Sequence, residues 1–141
     1  MFKSRSSPEK GSVFIELVLI LPVLILLVAG IIQFGFLLNA KIVVNSASYE
    51  GARAATLSDN PELEAANAVL GYASSTMPGW DFGKRLSMNM DISGTDPGDM
   101  IKVEVIYKIP IIFSDISPFN VIGDNYAKVI GSSVMRVEEK E

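Results

Sequence analysis

Sixteen residues, Leu17 to Ile32, carry no charge, and thirteen of them are Leu, Ile or Val. At about −0.3 to −0.6 kcal/mol each, those thirteen favour insertion into a bilayer by roughly 4–8 kcal/mol. Carried through Gln33 to Leu38 the segment reaches 22 residues. As a helix that is roughly 33 Å, enough to cross a hydrocarbon core of about 30 Å with some tilt. Glu16 lies at the edge of the run, where an acid costs less than at the bilayer centre. Pro22 is tolerable in a membrane helix and marks the place for a kink. The competing reading is a cleaved secretory signal. The run is too long for one, and no Ala-x-Ala site follows it.

Charge sets the expected orientation. Residues 1–11 hold Lys3, Arg5 and Lys10 against one acid, Glu9. The positive-inside rule keeps that end in the cytoplasm and sends the rest across. Residues 39–141 hold nine basic and fourteen acidic groups, a net of −5. An acidic exported part without a basic stripe argues against nucleic acid as a partner. With no His and no Cys, a usual zinc site, a thiol nucleophile and a His-based triad are excluded. The exported part must also fold without disulfides. About 100 residues remain after the apolar segment, enough for one small domain. Three regions follow: a basic leader over 1–11, a membrane helix over 12–38 and an exported domain over 39–141.

The helix is expected to continue past the membrane. No Pro interrupts 39–55, and Ala40, Val44, Ala47, Gly51 and Ala54 recur at helical spacing. Small residues on one face let a helix approach a sheet or another helix closely. Gly51 costs about 1 kcal/mol relative to Ala inside a helix, and close packing is a reason to keep it. The face serves either the helix's own domain or neighbouring subunits, and the two uses are compatible along different stretches.

A second helix begins with Asn60 as N-cap, Pro61 at the first helical position, and Glu62 and Glu64 near its positive end. Leu63, Ala66, Leu70, Ala73 and Met77 form its expected core stripe, and Pro78-Gly79 stops it. Leu86, Met88, Met90 and Ile92 alternate with polar residues, as a half-buried strand requires. Residues 94–99 supply turn chemistry. Ile101, Val103, Val105, Tyr107 and Ile109 alternate again up to Pro110, and a third strand is expected from about Tyr126 to Val137. The expected class is α+β, with a sheet of three to four antiparallel strands lying against helix. The apolar loop from Ile111 to Ile122 either caps the core or exposes a contact patch. Trp80 reads as the edge of the core.

Few groups suggest chemistry. Asp96 and Asp99 are the best candidates for a metal, and Asp-x-x-Asp in a Gly-Pro turn more often serves the turn itself. No phosphate loop, nucleophile motif or cofactor signature stands out. No enzyme and no cofactor is expected. A membrane-tethered domain binding sugar or peptide is a further reading, which requires a concave apolar site.

Lys10-Gly11-Ser12-Val13-Phe14-Ile15-Glu16, leading into the apolar run, resembles the processing site of type IV prepilin-like proteins. A membrane prepilin peptidase cuts these after the Gly. Ser46-Ala47-Ser48-Tyr49-Glu50-Gly51-Ala52-Arg53-Ala54-Ala55 closely resembles a stretch of the TadE-like proteins, minor pilins or pseudopilins of the tight adherence (Flp pilus) system. Glu16, Pro22 and Gln33-Phe34-Gly35 match that family's opening, and residues 132–138 resemble its last strand. Tyr49 departs from the family, where an Arg is common. Leu17 departs from the major Flp pilins, which place a Tyr there and are much shorter.

The resemblance implies a type IV pilin-like fold, processing at Gly11–Ser12, and a role for Glu16 in peptidase recognition or assembly. The competing reading of Glu16 is an interfacial acid that snorkels to water. The resemblance also implies helix packing through Ala47, Gly51 and Ala54. The partners it implies are the lipid bilayer, the peptidase, other pilins of the same system and an inner-membrane assembly platform. It implies residence in the bacterial cytoplasmic (inner) membrane, with possible incorporation into a surface pilus. An uncleaved, permanently anchored accessory protein of an export machine is the alternative.

Overall fold

The fold was taken from a computed structural model that describes residues 9–76, 85–111 and 126–138, with side chains from residue 11 onward. One helix, α1, runs unbroken from Glu9 to Leu57 and passes through Pro22. The chain divides into two compact units, residues 1–34 and residues 35–141. In the first unit, every residue from Val13 to Ile32 is exposed except the half-buried Ala29. Soluble monomers rarely leave contiguous apolar surface on this scale in water. By length and composition this part of α1 is suited to cross a membrane.

The second unit is α+β. After α1 come α2 (Pro61–Thr76) and three strands, β1 (Leu86–Ile92), β2 (Met100–Pro110) and β3 (Tyr126–Arg136). The strands form one antiparallel sheet in the order β1-β2-β3. Leu86 pairs with Tyr107 and Ile92 with Ile101 on one side of β2; Met100 pairs with Arg136 and Pro110 with Tyr126 on the other. All three strands fall where the alternating pattern puts them, with β3 ending one residue before Val137. A period of two demands that one face be buried, and the central strand obeys: Ile101, Val103, Val105, Tyr107 and Ile109 are all within 1% of complete burial. Met88, Met90 and Ile92 of β1 pack against that core at its edge.

The helices cover this face. From α1 come Ala40, Val43, Val44, Ala47, Ala52 and Ala55, and from α2 Ala65, Val69 and Ala73. The core is therefore thin, built from Ala and Val on the helices and longer side chains on β2. Asn60 starts α2, its carbonyl accepting the Glu64 N–H at 3.2 Å.

Two expectations need correction. The stripe expected on α2 is rotated: Leu63 and Leu70 are 54% and 51% exposed, and Ala65 and Val69 take the inward positions beside Ala73. Gly51 of α1 stands so near α2 that a Cβ on it would lie 2.6 Å from Val69 and 3.5 Å from the Ala65 carbonyl. A Leu does not fit such a gap, so the smaller side chains face inward. Ala54 of α1 is only half-buried, while Ala52, Ala55 and Ser48 lie fully inside. Ser48 is tolerated there because its hydroxyl donates to the Asn45 carbonyl at 2.8 Å. Met77, Trp80 and the apolar loop beyond Ile111 lie outside the described residues.

Candidate functional site

Two stretches of α1 hold the residues singled out from sequence. The first is its beginning. Gly11 and Ser12 lie inside the helix, which starts at Glu9, and a Cβ on Gly11 would meet nothing within 4 Å. Both residues are exposed, as is Glu16. Glu16 lies four positions after Ser12, so the two side chains project from the same face about one turn apart.

The second stretch lies in the folded domain. Ala47 is completely buried, Gly51 is buried and Ala54 sits at the rim. Gly51 admits both α2 and the sheet: the Cβ it lacks would lie 2.6 Å from Val69 Cγ2 and 3.3 Å from Val103 Cγ1. This packing is internal to the domain.

A second close approach was not anticipated. Gly131, in the interior of β3, lies directly under α1. A Cβ there would fall on the Val44 carbonyl and 2.7 Å from the Asn45 nitrogen. Beside it, the Lys41 ammonium donates to the Ile130 carbonyl. The available signal was a lone Gly inside an alternating strand, which marks a bulge or a close backbone approach.

Asp96 and Asp99 serve the hairpin. The Asp99 carboxylate accepts the Asp96 N–H at 3.1 Å, and the Asp99 N–H donates to the Asp96 carbonyl at 3.0 Å. Gly98 takes φ of 105°, a conformation that favours glycine. The turn is also fastened to the end of β3. Gly98 N–H donates to the Val137 carbonyl at 2.9 Å, Val137 N–H to Asp99 at 2.8 Å, and Arg136 Nε to the Gly98 carbonyl at 3.1 Å. Among the described residues, no three acids stand together as a metal would require.

Two hollows lie near this end of the domain. One of ≈ 140 Å³ is lined by residues including Ala55, Asp59, Thr95 and Val137. The other, ≈ 480 Å³, opens between Tyr49, Arg53 and Leu57 of α1 and Met135, Arg136 and Glu138. Tyr49, the departure from the family pattern, therefore stands exposed on the rim of that groove.

The family model described as TadE-like protein matches residues 11–53. No curated protein and no solved structure matches the chain. The matched stretch runs from Gly11 through Glu16, the apolar run and the small-residue face to Arg53, and it stops before α2 and the sheet. It bears out the TadE-like resemblance of this part of the chain.

Proposed function

From the TadE-like match over residues 11–53 we propose that this chain is a minor pilin or pseudopilin of a tight adherence pilus system. The observation that carries the proposal is the match together with the one helix beneath it. Residues 11–53 lie entirely within α1, which joins an exposed apolar segment to the first core residues of a small α+β domain. Its role is physical: a membrane stem bearing an exported head. Its partners are the bilayer, the peptidase, sister pilins and the assembly platform of the inner membrane.

Cleavage at Gly11–Ser12 removes the basic leader and leaves an α-amine on Ser12. The new helix start is then the positive end of the α1 dipole, with the Glu16 carboxylate about one turn away. In a bundle of such stems the carboxylate pairs with an α-amine, its own or a neighbour's, which offsets the cost of holding an acid among apolar helices. The bond to be cut lies inside a helix, and a peptidase acts on extended backbone. Gly11 lowers the local helix propensity by about 1 kcal/mol relative to Ala, so this turn is a weak one to unwind.

The helical setting of that bond also favours the second reading, an uncleaved accessory protein. Intact mass of the chain extracted from membranes that contain the cognate peptidase separates the two. A mass beginning at Ser12 is expected; assembled material beginning at Met1 would sink the processing claim. Glu16→Gln is expected to reduce incorporation into pili while leaving membrane insertion unchanged.

A further inference from the structure

The outer face of the sheet carries an unusual row. Lys108 of β2 pairs directly with Lys128 of β3, and both are exposed. Like charges in directly opposed positions destabilise a sheet. Arg85, half-buried, lies one residue before the Leu86–Tyr107 pair, at the helical turn that leads into β1. Its guanidinium lies 5.9 Å from the centroid of the Tyr126 ring, next to the same pair. The nearest described acid along the sheet is Glu104, four residues from Lys108 and already engaged with Lys102 at 3.6 Å. Four residues of strand span about 14 Å, beyond the screening length of about 8 Å at physiological salt.

The row has a definite place in the domain. Val44 of α1 lies on Gly131, Gly51 lies on Val103, whose β3 partner is Ser133, and Ala55 shares a hollow with Val137. Along the domain, α1 therefore advances in the direction of β3. The start of β3, the end of β2 and residues 35–41 of α1 share one end. Lys41 belongs to that end, tied to Ile130. It follows Leu38, the last residue of the apolar segment, by three residues, about 4.5 Å of helix. That rise places it in the headgroup layer of a bilayer crossed by the segment. Asp59, Glu62, Glu64, Asp96 and Asp99 gather at the opposite end.

We propose that Arg85, Lys108 and Lys128, with Lys41, form a docking rim for the anionic phospholipid headgroups of the bilayer that α1 crosses. The inference rests on the membrane-anchored reading above. Headgroup phosphates supply the counter-charge that the opposed lysines lack among the described residues. Tyr126, exposed beside Arg85, suits the same interfacial layer, where aromatic rings with a polar tip are enriched. The rim holds the domain down against an anionic surface and releases it over a neutral one.

The natural absence of Cys makes the test direct. The full-length chain with Ser87→Cys, an exposed site beside the row, is labelled with a donor dye and reconstituted into vesicles whose headgroups carry an acceptor. Energy transfer is compared between phosphatidylcholine alone and an equal mixture with phosphatidylglycerol. Transfer is expected to rise in the anionic vesicles and to fall back in about 1 M salt, where the screening length is roughly 3 Å. The triple variant R85Q/K108Q/K128Q is expected to lose the rise. It relieves like-charge repulsion, so it should remain folded, and circular dichroism checks this.

Equal transfer in the two lipids, or a folded triple variant that keeps the rise, would overturn the rim. Transfer that tracks protein density and ignores lipid charge would assign the row to a neighbouring chain and overturn it equally. Carbonate extraction of the same vesicles keeps the two claims apart. A chain washed out by carbonate refutes the anchor; a retained chain with unchanged transfer refutes only the rim.

Discussion

Gly131 and Gly71 have the same side chain and opposite requirements. Gly131 lies against the backbone of α1, whereas Gly71 faces open space on α2. Gly131→Ala must push strand from helix and is expected to cost about 1–3 kcal/mol, the range for overpacking. Gly71→Ala restricts the unfolded chain and clashes with nothing, so it should stabilise by about 0.4–1 kcal/mol. Thermal unfolding of the full chain in detergent distinguishes them by the sign of the shift in Tm, about 4–8 °C per kcal/mol for a domain of this size. Lys128→Gln removes one member of an opposed cationic pair and should raise stability by about 0.2–1 kcal/mol. A lower Tm for that variant would mean that the pair is already compensated within the chain.

At the scale of the element, α2 is the informative case. Its apolar residues fit two faces, and sequence alone favours the one with the larger side chains, Leu63 and Leu70. The other face wins because α2 must sit within touching distance of Gly51, and only Ala65 and Val69 are small enough. Leu70→Ser is therefore expected to change stability by less than about 0.5 kcal/mol, as exposed positions do. Val69→Leu, which adds one methylene at the Gly51 contact, should cost about 1–3 kcal/mol. The reverse ranking by denaturant unfolding would restore the rejected stripe. The strands were legible because alternation is local: each residue reports its own face. The approaches at Gly51 and Gly131 depend on where other elements lie, which neither neighbouring sequence nor periodicity records. The motif around Gly11 and Glu16 was readable as a pattern of residue types, while the helical state of the Gly11–Ser12 bond was not.

The whole molecule combines two demands on one helix. Residues 13–32 expose apolar side chains on every side, and residues 40–55 of the same helix bury a narrow face of small ones. Substitutions should separate them. Ile25→Arg, near the middle of the apolar run, is expected to oppose insertion by about 3–4 kcal/mol, combining the charge introduced with the Ile lost. A glycosylation-tag insertion assay measures this as a smaller inserted fraction. The domain's internal packing should be untouched, because no core residue lies in that run.

The fastening of the 94–99 turn to Val137, with the seat of Gly131 on Val44, has a consequence in time. The chain is made from its N-terminal side, yet α1 is gripped at Val44 by Gly131, 87 positions later in the sequence. Contacts of such long range are slow to form. Until residue 137 has been made, β2 lacks one neighbouring strand and its first hairpin lacks an anchor. The domain therefore closes only once β3 is available, and a chain halted before β3 is left as an unfinished sheet open to proteases.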